Sequence, residues 1–570
     1  MSKKIAAVRS AAANSLLHFY RLRALGLCLP AAGGLMLAAI PAAHAMPLYD
    51  GSQYGNNWEV YLNTTVNYSG FYRVGHPSAI LESGKTNANG NDGDANFHKD
   101  GIVGNIFSIL PVLDIKNQNF GMHFSGEYFI NTVYLQGNQN NQHATINSIV
   151  SSPTSFATET RQANGSNGRM LDAFVYDSWN FGDQEFSLKA GQQTLFWGQS
   201  LFFGTNGISG GQAPIDSIVA QSLVNPQTQQ IYLPDGQIVV TYQPNQTYTL
   251  QGYYQYQWQP TTVTGVGSYF SQSDVTGPGS SRIVAVAGTT DTNGRYFYQG
   301  KALTPPSQNG QFGASIQAQY GPYDIGLFGL RYDSKTATVY EYASAKPVVR
   351  PAGEQIGTYK EVYPRDIQLY GASVSTDIGA TNLAGELSAR RNMNLAGSAP
   401  VIKPGGNPGN ANSDPLYPVG NTMTGLVSAV YGSPTLAWAP GGVSVASEVE
   451  YVRVLGVTAN KAALAPGRTS SAAAFDVQVT PAYYNVLPKL ELTFPVSVKY
   501  NFAGNSQMDP TMNHGTGQVT FGIVATYHTN WIASLNYIGY FGKPATSQLT
   551  PEGAPNADRS YMTLNLQHTF

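Results

Sequence analysis

The chain has 570 residues, of which only 11% are charged and 12% are aromatic, and its formal net charge is −2. Soluble domains carry about 25% charged residues, so this composition does not suit a cytosolic enzyme, and the charge balance does not suit a nucleic-acid-binding protein. The mean hydropathy of −0.20 excludes a polytopic helical membrane protein. The class of protein that remains is an all-β protein with one face in an apolar medium.

Residues 1–45 form a predicted secretory signal. A basic stretch without acids precedes the apolar run 24–40, and Ala43-His44-Ala45 has the small-x-small pattern of a cleavage site. Cleavage after Ala45 would also remove the only cysteine, Cys28, so residues 46–570 could form no disulfide. The alternative is a retained transmembrane anchor, which the glycines and prolines of this region disfavour.

Beyond residue 45, apolar and polar residues alternate in many segments, and the clearest segment is 490–502. Many of these segments are near the ~9–11 residues that a tilted membrane strand needs. Pro495 interrupts the clearest one, and we expect a β-bulge there because proline cannot donate to a ladder.

Short and long connections alternate along the chain. The short ones lie at 117–119, 182–183, 244–246, 321–322, 377–382, 433–442, 487–489 and 529–530. The long ones fall near 73–101, 135–169, 198–235, 260–310, 341–365, 393–419, 457–473, 503–515 and 543–559. This rhythm predicts that residues 46–570 form a single transmembrane antiparallel β-barrel of about 18 strands, with short periplasmic turns and long extracellular loops. The alternative is 16 strands.

Aromatic residues mark the ends of the predicted strands. Nine lie beside the short turns, as in an interfacial girdle: Phe120, Trp179, Phe181, Tyr242, Tyr320, Tyr323, Tyr431, Tyr527 and Trp531. The chain ends on Phe570, on the apolar face of an alternating strand. We interpret Phe570 as an assembly signal for the outer-membrane assembly machinery; an ordinary closing strand is the alternative.

Five stretches carry a resemblance to known proteins: KAGQQTLFWGQS at 189–200, YQYQWQP at 254–260, YPRDI at 363–367, GELS at 385–388 and PAY at 481–483. In this order they resemble motifs of a family of proteobacterial outer-membrane proteins known as domain of unknown function 1302. In the first stretch, Lys189, Gln192 and Gln199 stand where the family has two arginines and a glutamate. The resemblance implies a porin-like barrel, with hydrophobic or aromatic nutrients as its suggested cargo.

The third long loop, 198–235, is rich in glycine and then contains 214–224, which could form a short helix. In porin-like barrels a loop after the fifth strand folds inward and narrows the channel. By that analogy we predict a constriction loop, with Ile215, Asp216, Ile218 and Val219 as its candidate residues. The alternative is a surface loop packed outside the lumen.

Strand phase predicts which polar side chains face the lumen. The pore-lining candidates are Glu59, Glu127, Lys189, Gln193, Glu386, Arg390, Glu448, Glu450, Glu491 and Lys499. With Asp114, Asp476 and Lys116, the inward acids number eight and the inward bases four, which predicts a mild cation preference. Glu386 and Arg390 lie about 13 Å apart along one strand, so each needs a partner elsewhere. The alternative is a structural network that orders the wall without binding a solute.

No motif indicates catalysis or metal binding. Gly207-Ile208-Ser209-Gly210-Gly211 matches the G-x-S-x-G elbow, but that motif requires a strand-to-helix turn of an α/β sheet. Asp92-Gly93-Asp94 has an oxygen-rich spacing but lacks the closing glutamate of a calcium loop, so we expect a solvated outer loop. We therefore expect no enzyme activity, no cofactor and no metal.

The sequence predicts an outer-membrane channel for passive uptake of small solutes, with hydrophobic or aromatic nutrients as candidates. The alternative is a structural or adhesive surface protein with a plugged barrel. The expected partners are outer-membrane lipid, the assembly machinery and an unidentified small-molecule solute, without nucleic acid. A monomer and a homo-oligomer are both compatible with the sequence.

Overall fold

The computed structural model describes residues 46–98, 100–224, 226–288, 294–300, 309–351, 353–546, 551 and 553–570, so the predicted signal and its cleavage site lie outside the described residues. Eighteen antiparallel strands form one continuous sheet. They are β1 (Trp58–Arg73), β2 (Gly101–Asn117), β3 (Phe120–Asn131), β4 (Ser166–Phe181), β5 (Gln184–Gln193), β6 (Asp235–Gln243), β7 (Tyr248–Gln255), β8 (Gln311–Tyr320), β9 (Tyr323–Tyr332), β10 (Ile367–Ile378), β11 (Thr381–Asn394), β12 (Val419–Gly432), β13 (Val443–Ala459), β14 (Ser471–Leu487), β15 (Leu490–Thr493 and Val496–Ala503), β16 (Gly517–Tyr527), β17 (Trp531–Phe541) and β18 (Tyr561–Thr569).

The sheet closes on itself. Strand β18 pairs with its neighbour β17 and also with β1, from Thr65 opposite Thr569 to Arg73 opposite Tyr561. A short N-terminal strand, Met46–Asp50, pairs with the earlier part of β1, from Glu59 to Leu62, which β18 does not reach. The predicted barrel of 18 strands is therefore confirmed, and the alternative of 16 is wrong.

All eight short turns and all nine long loops occur where the sequence predicts them. The loops, named L1 to L9, are 74–100, 132–165, 194–234, 256–310, 333–366, 395–418, 460–470, 504–516 and 542–560. The nine aromatic residues beside the turns lie at that end of the barrel, and eight of them are exposed large hydrophobics. This end therefore carries a ring of aromatic side chains suited to a membrane interface.

Alternation along the strands is inverted relative to a soluble protein. On β13, Glu448, Glu450 and Val452 are buried inside the barrel, while Val449 and Tyr451 are exposed outside. The exposed face is apolar, as a lipid-facing surface of a membrane barrel must be. The buried face, which points into the lumen, carries the charged side chains.

The predicted bulge at Pro495 is wrong. β15 is interrupted at 494–495, but its register with β16 is the same on both sides, because Thr493 pairs with Val524 and Val496 with Phe521. The irregularity lies instead on the other neighbour, β14, between Tyr483 and Leu487. The Pro495 carbonyl still accepts from Gly522 N (2.8 Å), so the missing N–H costs the ladder one bond without shifting it.

The long loops contain ordered structure of their own. Five strands form an extracellular sheet: Arg282–Val286, Arg295–Gln299, Thr338–Arg350, Gly353–Val362 and Val401–Ile402. A further pair consists of Lys543–Pro544 and Gly553–Ala554. The helical segments are Gly51–Tyr54, Ala79–Glu82, Asp92–Asn96, Thr132–Leu135, His143–Thr145, Thr158–Thr160, Arg161–Gly165, Ile208–Gly211, Ser217–Ser222, Thr228–Ile231 and Lys461–Ala463. Within the described ranges, no helix has the length and hydropathy needed to cross a membrane.

Loops L1, L2, L3, L4 and L9 pack together at the extracellular mouth. L1 to L4 share an apolar cluster that includes Phe97, Phe156, Val219 and Tyr269, with Phe71 on the wall, and L9 joins them through Arg559, which pairs with Asp94. We call this assembly the extracellular cap. It covers part of the barrel opening on the side of strands β1 to β3.

Candidate functional site

A carboxylate on the barrel wall holds the tip of L3 inside the lumen. Glu448 on β13 accepts hydrogen bonds from the backbone N–H groups of Leu201 (3.0 Å), Phe202 (2.6 Å) and Phe203 (2.8 Å), and from Ser200 Oγ (3.2 Å). The N–H groups of residues 201–203 lie outside any ladder, so the side chain of Glu448 satisfies them instead. Such charge-assisted bonds are among the stronger hydrogen bonds in proteins.

Glu386 and Arg390 on β11 bind the same loop. Glu386 accepts from the backbone N–H groups of Gln199 (2.8 Å) and Ile208 (2.5 Å). Arg390 donates to the carbonyl of Gly207 (2.6 Å) and to Tyr332 Oη (3.2 Å). Glu386 thus finds its partners in the L3 backbone, whereas Arg390 bonds to the loop and also to wall side chains, including Ser388 Oγ (3.4 Å) and Thr424 Oγ1 (3.5 Å).

Apolar contacts reinforce this anchor. The side chains of Leu201, Phe202 and Phe203 are buried together with wall residues of β12 to β14 and two methionines of L8. The cluster includes Leu426, Val452, Val454, Ala472, Ala474, Met508 and Met512. A buried apolar side chain contributes roughly 1.5–3 kcal/mol, so this cluster and the carboxylate together seat the loop firmly.

The other end of L3 is tied to β3 and β4. Asp216 forms an ion pair with Arg169 of β4, and Arg169 also contacts Glu127 Oε2 of β3 (3.3 Å). Asp216 Oδ1 accepts from Val219 N (2.8 Å) and so caps the helix Ser217–Ser222. One aspartate therefore begins this helix and fixes it to the wall.

These two anchors lie on opposite sides of the barrel. β3 and β4 are separated from β11 to β13 by about half of the 18-strand circuit. L3 starts at β5, reaches the wall at β11 to β13, and returns to β3 and β4 before it enters β6. The loop therefore crosses the lumen.

The candidate constriction residues have different surroundings. Ile218 and Val219 are buried in the extracellular cap, against Phe71 and Phe129 of the wall. Ile215 packs near Tyr232 and borders open space within the lumen.

A cavity of about 670 Å³ lies between L3 and the extracellular loops L4, L5, L6, L8 and L9. Its aromatic lining consists of Phe203, Tyr232, Phe270, Tyr332, Tyr417, Tyr540 and Phe541. Its charged lining consists of Lys335, Arg390, Glu450, Lys499 and Asp509. The volume is within the ~300–1,000 Å³ range of small-molecule sites.

The remaining pore-lining candidates are spread along the wall. Lys189 lies over the ring of Phe174 (4.0 Å), and Gln193 donates to the carbonyls of Lys189 and Gln237. Glu59 and Glu491 are exposed near the short turns, away from L3. Glu127, Glu386, Arg390 and Glu448 thus lie around L3, whereas Glu59 and Glu491 lie apart from it.

Arg169, the side chain that links Glu127 to Asp216, is not among the lumen residues that strand phase predicts. A register shift between β3 and β4 lies just beyond it, where Leu171 and Asp172 are both buried. Such a bulge breaks the alternation from which side-chain direction was inferred. The predicted excess of inward carboxylates could have indicated Arg169, because buried carboxylates need a basic partner nearby.

The expectation of a solvated loop at Asp92 is wrong. Asp92 is buried in the extracellular cap, where its Oδ2 accepts from Asn147 N (2.9 Å) and its own N–H donates to Asp274 Oδ2 (2.9 Å). Burial, and then the negative charge of Asp274, raise the pKa of Asp92 well above its ordinary value. Burial also raises the pKa of Asp274.

Asp94, two residues further on, is also buried, between two arginines. Arg73 and Arg559 contact its two carboxylate oxygens at 3.2 and 2.9 Å. Within the described residues, no group of three or more His, Cys, Asp or Glu side chains is arranged to hold a metal ion. Ser209 Oγ, the central atom of the G-x-S-x-G match, donates to the Gly204 carbonyl (3.0 Å).

The fold and the lumen define this protein as a closed 18-strand β-barrel whose lumen is crossed by loop L3. The chain belongs to the family described as protein of unknown function (DUF1302), whose model matches residues 27–570. The resemblance seen in the sequence is thereby confirmed. No curated protein matches the sequence.

Several solved barrels are similar in outline. OccAB4 of Acinetobacter baumannii is 7% identical, with 90% of this chain and 98% of that chain covered and a TM-score of 0.42. OccK2 (OpdF) of Pseudomonas aeruginosa, in complex with glucuronate, is 10% identical, with coverages of 90% and 98% and a TM-score of 0.38. OmpF of Salmonella typhi, in complex with daunomycin, is 10% identical, with coverages of 92% and 100% and a TM-score of 0.36.

Proposed function

We propose that this protein is an outer-membrane channel for the passive uptake of small solutes. The observation that carries the proposal is the lumen itself, in which an anchored loop and a cavity of about 670 Å³ lie within one closed barrel. Barrels of 16–18 strands are wide enough to enclose an aqueous channel. The apolar exterior and the aromatic ring beside the short turns support a location in the outer membrane.

The cavity lining supports hydrophobic or aromatic nutrients as the solutes. Seven aromatic side chains border the cavity, and aromatic and apolar surface is what such ligands bury on binding. L3 supports a role as the constriction, because it crosses the lumen from wall to wall.

Inward charge supports a mild cation preference. Beyond the residues predicted from phase, Asp172 and Asp235 add to the acids, and Arg73 and Arg169 add to the bases. The excess of inward acids therefore persists, and the charge that lines a pore sets its ionic selectivity.

Single-channel recording in a planar bilayer, at two salt concentrations and across a salt gradient, tests the channel. We expect discrete conductance steps and a reversal potential of the sign that a cation-leaning pore gives. A folded barrel that conducts no current would contradict passive uptake. A reversal potential of the opposite sign would contradict the cation preference alone.

One observation favours a second candidate, a structural or adhesive surface protein with a plugged barrel. The extracellular cap has its own apolar core and buried ion pairs, and the five-stranded sheet exposes side chains such as Val349, which is 83% exposed. Whole-cell binding assays with the sheet hairpin 338–362 deleted test this role. Loss of surface binding with a silent pore would favour the adhesive function.

A further inference from the structure

The cavity contains one acidic side chain whose hydrogen-bonding capacity is unused. Glu450 of β13 is 0% exposed and lines the cavity, yet neither of its carboxylate oxygens has a hydrogen-bond partner in the part of the chain that the structure describes. A buried carboxylate without a donor is costly. Because Glu450 lies at the cavity wall, a small molecule bound in the cavity can donate the missing hydrogen bonds.

The neighbouring acid is already satisfied. Asp509 of L8 accepts from the Thr511 backbone (2.9 Å) and hydroxyl (2.7 Å) through Oδ1, and from Asn206 Nδ2 (2.8 Å) through Oδ2. Among the described residues that line the cavity, Glu450 is thus the carboxylate with both oxygens available. Asp509 still adds negative charge beside it.

The positive groups of the cavity are engaged elsewhere. Lys335 pairs with Asp235 (3.1 Å), and Arg390 binds the L3 backbone and Tyr332. Lys499 lies over the ring of Phe203 (5.0 Å) and makes no ion pair within 4.0 Å in the described structure. Within the described residues, the carboxyl of Glu450 therefore has no ion-pair partner in the wall.

We propose that this cavity binds organic ammonium ions that carry an apolar or aromatic body, with Glu450 as the acceptor of the ammonium group. The N–H donors of such a ligand would supply the hydrogen bonds that Glu450 lacks, and its body would lie against the aromatic lining, which includes Phe203 at the L3 tip. This inference deepens the proposed channel function, on which it rests, by naming the class of solute.

Isothermal titration calorimetry on the detergent-solubilised barrel (residues 46–570) tests the site without requiring conduction. Phenethylamine and phenylacetate share a ring and a similar size but differ in charge. We expect phenethylamine to bind at least about tenfold more tightly than phenylacetate, and Glu450→Gln to weaken phenethylamine binding by about tenfold or more. Glu159→Gln is the matched control, because Glu159 is exposed on L2.

Three results would overturn the site: phenylacetate binding as tightly as phenethylamine, Glu450→Gln binding phenethylamine unchanged, or a folded barrel that binds neither. Should Glu450→Gln fail to fold, the comparison of the two ligands on the unmodified protein decides alone. Conductance of the same preparation separates the two proposals. A silent barrel that binds phenethylamine contradicts the channel, and a conducting barrel that does not bind it contradicts the site.

Discussion

Individual carboxylates in this barrel act as hydrogen-bond acceptors for loop backbone. Glu448 and Glu386 together accept from five backbone N–H groups of L3. Sequence phase predicted that both side chains face inward; both are buried and bonded to L3. It could not predict their partners, which lie about 180–250 positions away in the chain.

Glu448→Gln should loosen the tip of L3. The amide keeps one acceptor oxygen but presents a donor to the remaining N–H groups, at a cost of about 3 kcal/mol. We expect the amides of Leu201, Phe202 and Phe203 to exchange hydrogen roughly a hundredfold faster if that cost appears as local opening. Mass-spectrometric exchange on the folded barrel measures this, with Glu159→Gln as control. Unchanged protection of the three amides would contradict the anchoring role.

The extracellular cap should weaken as pH rises. The pKa of Asp92 is raised in the folded state, so the stability this group contributes is complete below its unfolded pKa and is lost as pH rises through the folded pKa. Each pKa unit of difference corresponds to about 1.4 kcal/mol. Two charged groups face Asp92: the charge of Asp274 raises the pKa of Asp92, and the charge of Arg282 lowers it.

Hydrogen-exchange protection factors of the L1 and L2 amides at pH 5 and pH 8 check this dependence. We expect lower protection at pH 8, and a smaller difference between the two pH values in Asp92→Asn, whose amide stays neutral throughout. Equal protection at both pH values in the unmodified protein would show that Asp92 is not protonated in the cap.

Elements differ in how far sequence predicts them. The strands, turns and loop positions follow from local alternation and turn residues, so they could be read directly. The extracellular sheet was missed because its strands come from three different loops, although Tyr340 and Tyr342 alternate within one of them. The residues of L3 were identified, but the burial of Ile218 and Val219 in the cap depends on loops far away in the chain.

Deleting 208–224 should raise conductance, because this segment contains Asp216 and the helix that returns across the lumen. Single-channel recording measures the change. Deletion of 344–350, the exposed tip of the extracellular hairpin, is the control and should leave conductance unchanged. Equal conductance in both deletions would remove L3 from the constriction.

The molecule as a whole has a closed sheet, and its last residue lies at the seam. The backbone N–H of Phe570 donates to the Thr64 carbonyl (3.0 Å), and its ring lies 4.3 Å from that of His568. His568 in turn stacks on Trp531 of the neighbouring strand (4.1 Å). Residue 570 thus takes part in closing the barrel.

Deletion of Phe570 should therefore lower the amount of folded barrel in the membrane. We expect a severalfold loss of the heat-modifiable band in membrane fractions, and retention of that band in Phe570→Tyr, which keeps a terminal aromatic ring. If the deletion variant accumulates normally, the assembly signal must lie elsewhere.

The seam is also unequal along its length. β18 covers β1 only from Thr65 to Arg73, while β2 covers it from Trp58 to Arg73. The N-terminal strand Met46–Asp50 occupies the part of β1 that β18 does not reach. Residues 46–50 and β18 thus pair with adjacent parts of the same edge of β1, and each covers the part that the other leaves open. Deletion of residues 46–50, or a shorter β18, would therefore leave backbone hydrogen-bonding groups of β1 without a strand partner and open to another chain.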